Sequence, residues 1–165
     1  MSRLDYESVA PGVSSAMHAL EEYIRNSGLE EQLVHLVKLR ASQMNGCAYC
    51  IDMHSKDLLS IGESVQRIYS LSAWAESSFY TPRERAALEW TEAVTRLDLG
   101  HVSDEVYERV RKHFTEKELV DLTMVLVAIN GWNRLSVAFR TDPGTYQPRP
   151  RAGKRSTASL KGSTN

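Results

Sequence analysis

The stretch SQMNGCAYCIDMHSKDL, residues 42–58, decides how this chain folds. Asn45 and Gly46 interrupt it, and the residues on either side keep helical spacing, so it reads as a helix end, a glycine turn and a second helix start. Upstream, Leu33, Leu36, Val37, Arg40, Ala41 and Met44 form one stripe of a helix over 30–44, apolar apart from Arg40. Downstream, a helix over 47–61 carries both cysteines of the chain, Cys47 and Cys50, with His54 four residues after the second.

Working outward, the same helical reading extends along the chain. Helices are expected over 12–26, 30–44, 47–61, 64–76, 82–98, 103–112 and 116–139, and no segment alternates as a strand does. Thr81-Pro82-Arg83-Glu84 and Thr115-Glu116-Lys117-Glu118 are capping-box starts, and Ser103 is a hydroxyl cap followed by acids. Gly28, Gly62 and Gly100 mark stops. Leu119, Leu122, Val125, Leu126, Val127 and Ile129 imply deep burial of the last helix. The expected fold is an all-α bundle of about seven helices with the last one central. Residues 1–148 make a single domain, followed by a flexible basic tail over 149–165.

Charge and hydropathy exclude some functions. The formal net charge of −1 conceals five cations and no acid after residue 148, which leaves −6 on residues 1–148 and argues against a nucleic-acid-binding body. The longest apolar run, MVLVAI at 124–129, is far below the roughly 20 residues of a membrane span, and the first residues have no signal-peptide core. A soluble cytoplasmic protein is expected. In that compartment a close cysteine pair is a poor stability staple, because thiols are kept reduced and so short a loop removes little unfolded-chain entropy.

The cysteine pair carries the chemistry. Gly46 lets the chain turn, so Cys47 falls at a helix N-terminus, where free N–H groups and the helix dipole stabilise a thiolate. Cys50 follows at i+3, within disulfide reach, and His54 at i+4 from Cys50 offers an imidazole base on the same face. Cys50 is thus the candidate nucleophile and Cys47 the resolving thiol. A packed thiol pair with an unrelated histidine fits the same residues.

The segments LVKLRASQMNGCAYCIDMHSKDL (36–58), TPRERAALEWTEAVT (81–95) and AINGWNRLSVAFR (128–140) resemble the AhpD-like alkylhydroperoxidases of the carboxymuconolactone decarboxylase superfamily. The resemblance spans residues 5–148. It implies a compact all-α fold, assembly into trimers or hexamers, and peroxidase or thiol-disulfide activity on a hydroperoxide. It also implies that Cys50 becomes a sulfenic acid, that Cys47 closes the disulfide, and that His54 belongs to a proton relay. A dithiol protein, lipoyl-carrying or thioredoxin-like, would reset the pair. No cofactor is implied.

The chain departs from the family at one relay position. Twelve residues before Cys47 the family has a glutamate, and here stands His35, which exchanges protons but supplies no fixed negative charge. Glu31, Glu89 and Glu92 are candidate replacements for the carboxylate. His35, His54, Cys47 and Cys50 together also compose a Cys2His2 zinc set, although their spacing is unlike the usual two-knuckle arrangement. His35 as a helix-packing residue is a further reading. A lactone decarboxylase is disfavoured because the CxxC-His set belongs to the redox branch, and a non-enzymatic redox-sensing or binding oligomer remains open. Trp74, Trp90 and Trp132 are expected in the core or an interface, and Tyr49 and Asn133 are candidates either to line a peroxide pocket or to serve in turns and caps.

Overall fold

The computed structural model describes residues 2–148; the expected basic tail over 149–165 lies outside them. The described residues form eight α-helices and two 3-10 turns: α1 Tyr6–Val9, α2 Pro11–Arg25, α3 Glu31–Met44, α4 Ala48–Ser60, α5 Val65–Ser70, a 3-10 turn Leu71–Glu76, α6 Pro82–Thr95, a second turn Leu97–Leu99, α7 Asp104–Arg111 and α8 Glu116–Phe139. The all-α reading stands, with finer divisions. The helix expected over 64–76 ends at Ser70 and passes into a 3-10 turn kinked at Ala73, and the one expected over 82–98 ends at Thr95, where Arg96 leaves helical φ/ψ. Leu97 and Leu99 beyond it are exposed, so no buried face holds that helix longer.

Local chemistry sets the boundaries. Both capping boxes form, with Thr81 and Thr115 accepting from the backbone N–H of Glu84 and Glu118 while each glutamate reaches back. Gly28, Gly46, Gly62 and Gly100 all have positive φ. At Gly46, φ is +64°, the left-handed conformation that closes α3 and turns the chain into α4.

Two helices share the centre. α3 packs on α4, α6 and α8, and α8 packs on α2, α3, α4 and α6. The buried residues of α3 include Lys38, Leu39 and Ser42 as well as Leu33, Leu36, Val37 and Ala41 of the expected stripe, whose Arg40 and Met44 are half-buried, so this helix is enclosed on more sides than its periodicity indicates. In α8, Leu119, Leu122, Val125, Leu126 and Ile129 are buried, each side chain stabilising the fold by roughly 1.5–3 kcal/mol. Val127, expected inside, is 47% exposed, and with Val120 and Val137 leaves apolar groups on the outer surface of α8. By length and composition α8 is the helix among the described residues that matches a membrane span, but its apolar residues supply the core.

Polar tethers complete the packing. Lys38, 4% exposed, pairs with Glu21 of α2 at 2.5 Å, and Glu21 also accepts from Trp132 Nε1 at 3.1 Å. Trp90 is buried, its Nε1 donating to Thr123 Oγ1 at 3.0 Å, and Trp74 donates to Glu92. The chain after α8 returns across α4. There Lys56 donates to the carbonyls of Gly144 and Tyr146, Gly144 N donates to Asp52, and Tyr146 Oη donates to Asp57 Oδ1 at 2.6 Å.

Candidate active site

Both cysteines sit at the N-terminus of α4, unbridged and buried, at 1% and 3% exposure. Cys47 is the N-cap, and its Sγ accepts the backbone N–H of Cys50 at 3.4 Å. This takes up one of the donors a helix start leaves unpaired, and it places negative charge at the positive end of the dipole. Behind the pair stands α8. Ser136 Oγ lies 3.9 Å from Cys50 Sγ. Asn133, 1% exposed, donates to Ser42 Oγ at 3.1 Å and accepts from Asn45 at 2.8 Å, which ties α3 to α8 beneath the thiols.

These contacts divide the two thiols. A hydrogen bond from the Cys50 thiol lowers Cys47 to about 7, against an upward push from burial and with help from the Cys50 amide, Ser136 and Asn133. Cys50, donating to that sulfur and buried beside its charge, is raised. In the reduced pair the first negative charge therefore rests on Cys47, and Cys50 keeps its proton until a base or its partner takes it.

His35 and His54 meet one turn further along. His54 is buried on α4, and its Nδ1 lies 3.2 Å from Asp57 Oδ2 and 3.4 Å from His35 Nδ1. His35, reaching across from α3, lies 3.5 Å from the same carboxylate oxygen. Burial holds both imidazoles below their ordinary range, His35 to about 4 with added repulsion from His54, so both are neutral at pH 7. Burial alone would raise Asp57, but hydrogen bonds from His54 and Tyr146 outweigh it and the carboxyl is held low.

The structure thus supplies a carboxylate at the histidines, and from a residue the sequence reading passed over. Asp57 is three residues after His54 on the same helix, a spacing visible in MHSKDL. Of the acids considered in its place, Glu89 is bound to Arg109, and Glu92 to Arg40 and Trp74. Glu31 is exposed at the start of α3. The Cys2His2 set does not assemble as one: among the described residues, the donor atoms within 4.8 Å of one another belong to His35, His54 and Asp57. Asn133 does stand by the thiols. Tyr49 is half-buried, and its hydroxyl is raised by burial and by the nearby Cys50.

With its donor N–H directed to Asp57, His54 keeps Nε2 as the nitrogen able to take a proton. A carboxylate that fixes the tautomer of an imidazole is the arrangement of a general base. Helical side chains lean toward the N-terminus, the direction in which Cys50 lies one turn back.

Comparison with known proteins agrees with this architecture. The profile of the Carboxymuconolactone decarboxylase family matches residues 11–93. The uncharacterized protein YdfG of Bacillus subtilis is 46% identical over 137 residues, 83% of this chain and 93% of that protein. A crystal structure of a protein of unknown function from Agrobacterium tumefaciens, described provisionally as the antioxidant defence protein AhpD, superposes with a TM-score of 0.85 at 43% identity, covering 88% of this chain and 100% of that one. The debrominase Bmp8 shares the fold at 19% identity, with a TM-score of 0.75 over 84% of this chain and 74% of that one. By profile, relative and fold, this chain belongs to the carboxymuconolactone decarboxylase family and is an AhpD-like protein.

Proposed function

We propose that this protein is a thiol-dependent peroxidase that reduces a hydroperoxide at the Cys47–Cys50 pair. The observation that carries the reading is the pair itself, two free cysteines buried together at a helix N-terminus with Cys47 Sγ accepting the Cys50 backbone N–H. Cys50, its proton passed to Cys47 or to His54, attacks the peroxide oxygen. The O–O bond breaks, the alcohol leaves with a proton, and Cys50 becomes a sulfenic acid. Cys47 then attacks that sulfur, the S–S bond forms and water leaves, a reversible step of cysteine oxidation. A dithiol partner, lipoyl-carrying or thioredoxin-like, returns two electrons and two protons. His54, oriented by Asp57, moves the protons, and His35 extends the relay toward solvent.

A second assignment of roles has its own observation. The lowered Cys47 is the stronger thiolate at rest, which favours Cys47 as the attacking sulfur and Cys50 as the resolving one. Both assignments need both cysteines. The valines on the outer surface of α8 support assembly into homo-oligomers.

Coupled consumption of an organic hydroperoxide with a dihydrolipoyl dithiol tests the proposal. Turnover is expected in the wild type and is abolished in Cys50→Ser and in Cys47→Ser. Undiminished turnover in either variant refutes it, and disulfide formation without turnover identifies a sensor or an exchange protein instead.

A further inference from the structure

We propose that His35, His54 and Asp57 form a zinc-class metal site. The two imidazole Nδ1 atoms and Asp57 Oδ2 are separated by 3.4, 3.2 and 3.5 Å. A tetrahedral ion with bonds of about 2.0–2.1 Å holds its ligand atoms about 3.3–3.4 Å apart, so the three separations match those of ligands on one ion. Two imidazoles and one carboxylate suit zinc and its first-row neighbours, whereas magnesium and calcium favour all-oxygen shells. Three protein ligands leave the fourth position open to water or another small donor.

The surroundings fit the same use. His54 and Asp57 stand at i and i+3 on α4, the spacing by which carboxylate and histidine pairs on bundle helices ligate metals, and α3 brings the third ligand. Tyr146 Oη occupies Asp57 Oδ1 at 2.6 Å and leaves Oδ2 for the metal, as an outer-shell donor does. The His35 side chain is 20% exposed and gives the ion a path from solvent.

The same contacts serve a proton relay when both ring N–H groups donate to Asp57 Oδ2, so metal and relay compete for the same atoms. On ligation the ring proton of neutral His54 moves to Nε2, and the imidazole can no longer accept one there. Zinc would therefore silence the base of the thiol pair. That inhibition rests on the peroxidase reading; the binding does not.

Calorimetric titration with zinc tests the site, using a Cys47→Ser/Cys50→Ser background so that thiols cannot ligate. One equivalent is expected to bind as to the reduced wild type. His35→Gln and Asp57→Asn in that background should weaken binding by about 100-fold or more, and Tyr146→Phe, which removes only the outer hydroxyl, by about 10-fold. Cobalt(II) in the reduced wild type should give a four-coordinate visible spectrum without thiolate charge transfer. Absence of binding in the double-cysteine background, a folded His35→Gln with unchanged affinity, or thiolate bands on cobalt would each overturn the assignment. Should His35→Gln fail to fold by circular dichroism, Tyr146→Phe decides: unchanged affinity there also overturns it.

Discussion

At the scale of single residues, the site is a contest between burial and hydrogen bonding, and the outcome differs from group to group. For Cys47 the hydrogen bonds win, and its ionisation near pH 7 should appear directly in reactivity. The rate of alkylation of Cys47 by a small reagent is expected to rise with a midpoint near pH 7, and Asn133→Ala should move that midpoint upward by removing a donor. An unshifted profile in Asn133→Ala would show that the asparagine does not reach the charge. For His54 the decisive partner is Asp57. Asp57→Asn keeps the shape, removes the charge and should lower the proposed peroxide turnover by about 100-fold while the thiols still alkylate. The CxxC-His spacing made three of these residues legible in sequence. Asp57 was equally available at i+3 from His54, but an acid in an exposed-looking SKDL segment has no sequence feature that distinguishes it from a solvated one. Tyr146 and Ser136 come from distant parts of the chain and only folding brings them in.

At the scale of elements, the α3–turn–α4 hairpin fixes the site, and one residue fixes the hairpin. Gly46 has φ +64° and a Cβ built there meets nothing within 4 Å, so substitution carries a backbone cost without a clash. Gly46→Ala is expected to destabilise the fold by about 1 kcal/mol in denaturant titration, and Gly46→Asn by less, since asparagine tolerates the left-handed region. Equal losses in both would point to steric strain instead. Helix boundaries were legible where side chains cap them, at Thr81, Ser103 and Thr115. They were illegible where tertiary context decides, as at Ser70 and at Arg96. Periodicity likewise underrated α3: a helix flanked by α4, α6 and α8 buries even Lys38, because Glu21 is there to pair with it.

At the scale of the whole molecule, burying titratable groups makes the fold sensitive to acid. His35 titrates near 6.5 when unfolded and near 4 when folded, so below pH 6.5 the unfolded chain binds a proton that the native one refuses. Stability should therefore be full above pH 6.5 and fall as the pH drops from 6.5 to about 4, by at most about 3 kcal/mol from this group. Lys38 and His54 reinforce the effect on His35, and Asp57 and Glu21 oppose it. Urea titrations at stepped pH should show this slope, and His35→Gln should flatten it. A slope unchanged in that variant would assign the acid sensitivity elsewhere.

The account turns on whether the buried pair reacts with peroxide as a unit. Rapid mixing of the fully reduced, metal-free protein with one equivalent of an organic hydroperoxide, with mass-resolved trapping of sulfenic acid in Cys47→Ser and in Cys50→Ser, tests it most directly. The account predicts a Cys47–Cys50 disulfide in the wild type and a fast sulfenate on Cys50 in Cys47→Ser. Reaction no faster than that of a free thiol in all three proteins would contradict it.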